Sequence, residues 1–357
     1  MLSCRPTARA RGSATLYTSA MRYRAVGKTN IQVSEIGFGC WTMGGPNWSL
    51  ADGSPVGWAD VNDAEVIAGI KVGLDAGVNH WDNADIYGNG RAERTLGQAL
   101  KSLGIDRKMQ IIATKVGHFR GTAPWAYHPA HIRQQCEQSL RNLGTDYIDI
   151  YYFHHGTYTG PDHTGAAHDY LHEASATMHA LVKEGKVRAI GQSAYNDDDF
   201  TRAIPVLRPD VLQNKANMRY DPSIAPGSRV QKLMAEHGCS FVAFGPLDQG
   251  VLLDKFDPDN PPKFEEGDYR NQRKDMVPAV LRDVRDKLKT VKAAVGSTTE
   301  DLASAACRWV LAHDHVCSVI PGFRNPKQAT CNIRAGSDAP MVSDQVRAFR
   351  ALFAGAN

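Results

Sequence analysis

The chain has 357 residues, 42% of them hydrophobic and 22% charged, with a formal net charge of +3. That is enough apolar material for a sizeable core, and the basic and acidic residues are interspersed, so nucleic acid is not an implied partner. No apolar run approaches the roughly 20 residues needed to span a bilayer, and the seven cysteines are odd in number without a C-x-x-C pair, which reads as reduced thiols in a cytoplasmic protein with no membrane partner.

The first 20 residues carry Arg5, Arg9 and Arg11 among serines and threonines, and no acidic residue precedes Glu35. They read as a disordered leader, with an organelle transit peptide as the alternative. Residues 21–357 read as a single domain, and nothing in them specifies an oligomeric state. From Met21 onward two short strand-like runs flank Gly27-Lys28-Thr29-Asn30, a hairpin pattern. V-G-K-T at 26–29 looks like the end of a phosphate loop but lacks the earlier glycine, so a turn is expected there.

After the hairpin, strand-like and helical runs alternate. The pairs are 36–41 with 63–76, 78–82 with 92–103, 110–115 with 129–143, 148–154 with 170–183, 187–193 with 197–207, 211–217 with 228–237, 239–245 with 301–313, and 316–321 with 326–333. Eight such units predict a closed parallel (β/α)8 TIM barrel, an α/β fold, with an N-terminal hairpin and accessory helices. Val66, Ile67, Ile70 and Leu74 recur at helical spacing, and Asn196 before three aspartates is an N-cap. One stripe falls outside the eightfold pattern: Val277, Val280, Leu281, Val284, Leu288, Val291 and Val295 predict an additional helix. The charged, proline-containing stretch 254–274 before it is too long for a connector and reads as a lid or clasp.

Barrel sites form at the C-terminal ends of the strands. Asp82, Tyr87, Lys115 and His154 follow the second, third and fourth strands, so adjacency in the sheet brings them together. A phenol is a poor acid at its ordinary pKa of about 10, and an ammonium group beside it favours release of the proton. Lys115 supplies that charge, Asp82 holds Lys115, and His154 offers an N–H to a substrate oxygen. The chemistry that suits the set is protonation of an oxyanion formed when hydride reaches a carbonyl carbon. Singly, each has a structural reading too: a helix cap, a rim aromatic, a solvated strand end, a core histidine.

His168 and His172 have a metalloprotease-like spacing on what reads as a solvated helix face. No third ligand is evident, and no metal is expected. Trp41, Trp48, Trp58 and Trp125 fall in loops on the same rim, and Trp41 and Trp48 are the candidates for a substrate wall.

From Met21 to about Ala354 the chain resembles the aldo-keto reductases. The resemblance rests on G-V-N-H-W-D-N-A-D-I-Y-G, I-A-T-K-V, D-Y-I-D-I-Y-Y-F-H, G-K-V-R-A-I-G-Q-S, V-A-F-G-P-L-D-Q-G and V-I-P-G-F-R-N-P. It implies an NADPH-dependent reductase of small aldehydes or ketones, with NADH as the alternative cofactor. In that reading Tyr87 is the general acid, Lys115 and Asp82 tune it, and His154 orients the substrate. The resemblance also implies Ser193 and Gln213 on the nicotinamide carboxamide and Phe244 stacked on the ring. It further implies Gly245, Pro246, Leu247, Gln249 and Gly250 at the pyrophosphate, and Gly322, Arg324, Gln328 and Asn332 around the adenosine. Arg324 is the fork suited to a 2′-phosphate. The chain departs from the family at Ala194, Phe244, Gly245 and Cys331, where Asn, Tyr, Ser and Glu are common. Two other readings fit a strand-end lysine in a barrel: a Schiff-base aldolase or lyase acting through Lys115, and a nicotinamide-binding regulatory subunit without turnover.

Overall fold

The computed structural model describes residues 20–49, 52–119 and 121–355; the expected leader lies almost wholly outside them. Eight parallel strands form one sheet in chain order: β3 (Phe38–Gly39), β4 (His80–Asp82), β5 (Ile111–Val116), β6 (Ile148–Phe153), β9 (Val187–Ser193), β10 (Val211–Lys215), β11 (Ser240–Phe244) and β12 (Val316–Ile320). Bridges Ile36 to Val319 and Gly39 to Gly322 join the first strand to the last, so the sheet is a barrel, as the eightfold repeat predicts.

The hairpin β1 (Tyr23–Ala25) and β2 (Gln32–Ser34) closes the end at which the strands begin. Val26, Ile31 and Val33 pack there with Ile111, Ala113, Ile150, Val242 and Cys317 of the barrel interior. The V-G-K-T segment is its turn. With that end filled, only the opposite end remains for a ligand.

Helices α1 (Asp63–Asp75), α2 (Arg91–Ser102), α3 (Pro129–Leu143), α4 (Leu171–Lys183), α5 (Asp197–Leu207), α6 (Arg229–His237), α8 (Thr299–Leu311) and α9 (Pro326–Ser337) surround the sheet. Their starts are chemical: Asn62, Asn196 and Asn325 each accept the N–H of the third residue on, and Thr298 makes a reciprocal capping box with Asp301. Gly144 and Gly238 end α3 and α6 in the left-handed conformation, which a side chain would oppose. The extra stripe is α7 (Pro278–Val295), buried through Leu281, Val284, Leu288 and Val291.

Three features differ from the sequence expectation. Regular pairing in the first strand is limited to Phe38–Gly39, because a 3-10 turn, Cys40–Met43, follows at once and carries Trp41 to the rim. A small hairpin, β7 (Thr159–Pro161) and β8 (Ala167–Asp169), precedes α4, so His168 is on a strand and His172 on a helix and the two do not share a helix face. A last helix, α10 (Ser343–Phe353), packs back on the barrel, its Val346 carbonyl accepting from the Trp309 indole at 3.1 Å. Six cysteines are free and buried; Cys4 is outside the described residues. No helix among the described residues is long and apolar enough to cross a membrane.

Between β5 and β6 the fully buried Asp149 accepts from Arg107 at 2.6 Å, from Arg188 at 2.5 Å and from the Ile112 N–H at 2.9 Å. Removing a hydrogen-bonded buried carboxylate strands its donors. Asp149→Ala should cost about 2–4 kcal/mol of stability, read from urea denaturation; a loss near zero would show that this carboxylate does not hold the strand pair.

Candidate functional site

The site is built where the strands end. Lys115 is completely buried, a state a lysine tolerates only with its ammonium fully paired. Its Nζ donates to Asp82 Oδ2 at 2.6 Å, to the Asn83 carbonyl at 2.7 Å and to Tyr87 Oη at 3.4 Å. The other Asp82 oxygen accepts from Gln213 Nε2 at 2.7 Å. Three strands, β4, β5 and β10, therefore meet in one hydrogen-bonded cluster, and Tyr87 stands at its open edge.

Tyr87 is set by the backbone around it. The loop from Asp82 turns back on itself through Tyr87 N–H to the Ala84 carbonyl at 3.1 Å, and the Tyr87 carbonyl accepts from Ala92 at the head of α2. Gly88 follows with φ +58°, and a Cβ there would lie 2.1 Å from the Gly44 carbonyl oxygen. Only glycine allows this approach between the Tyr87 loop and the loop after β3. His154, the residue after β6, presents its ring edge-on to Tyr87 with 5.8 Å between centroids, and His118 meets His154 edge-on at 4.4 Å.

Burial is the largest influence on the titratable groups around Tyr87. Burial, then the charge of Asp82, pushes the Tyr87 phenol well above its ordinary range. Lys115 nevertheless stands where the sequence reading put it, with its ammonium at hydrogen-bond range of the phenol oxygen. At 2.6 Å from Asp82 the ammonium is already compensated, so its pull on an oxygen 3.4 Å away is outweighed by desolvation. Burial, reinforced by His118, holds His154 well below the usual histidine range, so its ring is neutral.

A cleft of about 1670 Å³ opens over this cluster and runs across the barrel mouth. Asp82, Tyr87, His154, Ser193, Gln213, Phe244, Gly245, Pro246, Leu247, Gln249, Gly250, Gly322, Gln328 and Asn332 all line it, as do Trp41 and Trp48. Lys115 sits behind the wall, not in it. Arg324 is the exception among the expected cofactor residues: its guanidinium donates to the Ala59 carbonyl at 2.7 Å and approaches that of Asp60. The fork expected to face a 2′-phosphate thus lies on a loop backbone. Trp125 packs away from the cleft, its indole donating to the Thr157 carbonyl.

Several residues of the cleft wall were not singled out from the sequence. Tyr269 arrives from the long 254–274 stretch, which is pinned across the mouth by Tyr269 N–H to the Gly57 carbonyl at 2.9 Å and by the Gly57 to Asp268 bridge. Asp248, almost fully buried, gathers Lys215 at 3.2 Å, Arg273 at 2.9 Å and Arg219. Burial pushes its carboxyl up, but the three cations outweigh that and hold it below the ordinary range. The only sequence signal for this cluster is the acidic residue inside V-A-F-G-P-L-D-Q-G, whose partners lie 25 to 33 positions away in either direction. No group of three or more metal-ligating side chains occurs among the described residues.

Both His80 and His154 are buried and held below the usual histidine range, His80 to about 4 by burial. The folded protein keeps them neutral while the unfolded chain takes up protons near pH 6.5, so stability is unaffected above that pH and falls below it. Between pH 6.5 and 5 each should remove roughly 2 kcal/mol, visible in denaturation curves, with a shallower fall in His154→Gln. Identical stability at pH 7.5 and 5 would mean that these rings take up protons in the fold.

Comparison with known proteins agrees with this geometry. The profile described as "Aldo/keto reductase family" matches residues 35–354. A probable voltage-gated potassium channel subunit beta of Arabidopsis thaliana is 29% identical over 335 residues, 90% of this chain and 93% of the relative. The NADH-specific methylglyoxal reductase of Escherichia coli (strain K12) is 28% identical over 332 residues, covering 88% and 93%. Among solved structures, the holo form of aldo-keto reductase AKR11C1 from Bacillus halodurans superposes with a TM-score of 0.70 at 25% identity, over 93% of this chain and 96% of that one. With the strand-end cluster and cleft in place, the match over nearly the whole chain establishes that this protein belongs to the aldo/keto reductase family of oxidoreductases.

Proposed function

We propose that the protein reduces small aldehydes or ketones to alcohols with NADPH, using Tyr87 as the proton donor. The observation that carries this reading is the buried Asp82–Lys115–Tyr87 chain opening onto a cleft large enough for a dinucleotide and a substrate together. The fit to a nicotinamide cofactor rests on the cleft's second half. Gly245, Gly250 and Gly322 bring backbone to the wall of that half, where N–H groups could meet phosphates, and Phe244 offers an aromatic face. Lys255 and Lys327 are cations on the same wall, and they support the phosphorylated cofactor although Arg324 faces elsewhere.

The cofactor supplies hydride to the carbonyl carbon; the protein handles the proton. His154, neutral, donates an N–H that orients the carbonyl oxygen. Tyr87 keeps its proton at neutral pH because burial disfavours the phenolate. It can still give it up, since an alkoxide is about as basic as hydroxide and far more basic than a phenolate. Lys115 then faces the phenolate at hydrogen-bond range, and Asp82 keeps the ammonium from swinging away.

Lys115 has no open face toward a substrate, which argues against a Schiff base. The likeness to potassium channel beta subunits is the one finding that favours a regulatory role, and the same measurement separates the two. Tyr87→Phe should lower kcat for carbonyl reduction by about 10³-fold or more, while the Kd for NADPH, from nicotinamide fluorescence, changes less than about threefold. Full activity in this variant would overturn the mechanism, and tight NADPH binding without turnover of any carbonyl by the wild type would favour the regulatory reading. Comparing Kd for NADPH and NADH tests the cofactor assignment.

A further inference from the structure

The cleft divides into two arms of opposite character. One arm surrounds the Tyr87 hydroxyl with rings. The Trp41 indole lies 6.2 Å from the Tyr87 ring and near-parallel to it, at 29°; it meets Trp58 edge-on at 5.5 Å and Tyr269 at 5.1 Å. His118 and His154 complete the enclosure, and Trp48, 45% exposed, stands at the mouth.

The other arm holds the charge. Among the described residues, four cations line the cleft: Lys215, Arg273, Lys255 and Lys327. The first two are bound to Asp248. Lys255 and Lys327 flank Cys331 of α9, on the wall assigned above to the adenosine. Arg270 comes near the ring-lined arm, stacked 4.6 Å over Trp58, but both its Nε and Nη2 are engaged by the buried Asp268 at 2.9 and 2.7 Å. Among the described residues, the cations that lie against the rings of Tyr87 and Trp58 are Lys115 and Arg270, and both are ion-paired. A carboxylate or phosphate brought there would lose its water and gain no counter-charge, whereas a flat apolar body would replace water on aromatic faces.

We infer that this arm takes an uncharged carbonyl compound with a planar aromatic or comparably apolar body, and rejects carbonyl compounds that carry a carboxylate or phosphate. The inference rests on the reductase reading and adds the substrate class. Trp41 is its specificity-determining residue, because it touches Tyr87, Trp58 and Tyr269 together.

The test compares substrates matched in shape and differing in charge: 4-formylbenzoate against its methyl ester, and glyceraldehyde 3-phosphate against glyceraldehyde, by NADPH oxidation. The anion of each pair should have a kcat/KM at least about 30-fold below its neutral partner. In Trp41→Ala, KM for the ester should rise about tenfold or more with kcat changed far less, and Trp41→Phe should recover most of the loss. Tryptophan quenching of the NADP-loaded enzyme should report binding of methyl benzoate but not of benzoate. Arg120 lies outside the described residues, so the same panel is run on Arg120→Ala, where the discrimination should persist. Equal turnover of anion and ester by the wild type, or an unchanged ester KM in Trp41→Ala, would overturn the inference while leaving the reductase reading intact. Failure to reduce any of the four compounds or a broader panel of aldehydes would instead remove the reductase reading and this inference with it.

Discussion

A lysine ammonium with no access to water constrains everything at the mouth of this barrel. Lys115 is fully buried, and an unpaired charge in that position would cost several kcal/mol. Its pairing draws in Asp82 from β4 and the backbone of Asn83, and Asp82 in turn draws in Gln213 from β10. The cluster thus ties strands from separate parts of the ring at one depth, just above an interior filled by Ala113, Ile150, Val242 and the hairpin valines. The polar chemistry sits at the strand ends because the layers below hold apolar side chains.

From that cluster the neutrality of the pocket follows. Asp82 cancels Lys115, so the phenol beside them responds mainly to its own desolvation and keeps its proton. His154 and His80 stay uncharged for the same reason. Charge that the fold does need at the mouth is gathered some distance away, on Asp248, where three cations share one buried carboxylate. A neutral, ring-lined arm and a charged arm in one cleft are what the proposed reaction would need, with an apolar carbonyl at one end and an anionic dinucleotide at the other.

The loops complete what the strands begin. Residues 254–274 cross the mouth and attach to the loop after β3 through Gly57, and this attachment brings Tyr269 onto Trp41. The chain's departure from the eightfold repeat, with α7 and the long stretch before it, is therefore where the cleft acquires its roof.

The sequence by itself determined the eightfold alternation, the closing hairpin, the additional helix and the four strand-end residues, because apolar periodicity, helix caps and adjacency of successive strands are local or nearly local properties. It could not determine which way Arg324 turns, since that depends on the Ala59 and Asp60 carbonyls some 265 positions earlier. Nor could it show that Tyr269 would reach Trp41, or that Asp248 would collect Lys215, Arg219 and Arg273. The sign of the shift on Tyr87 also waited for the fold: sequence places an ammonium beside a phenol, but only the packed structure shows that ammonium paired with Asp82 and the phenol partly buried beside it. Side chains that meet through chain closure carry no periodic signal, and desolvation is a property of the packed whole.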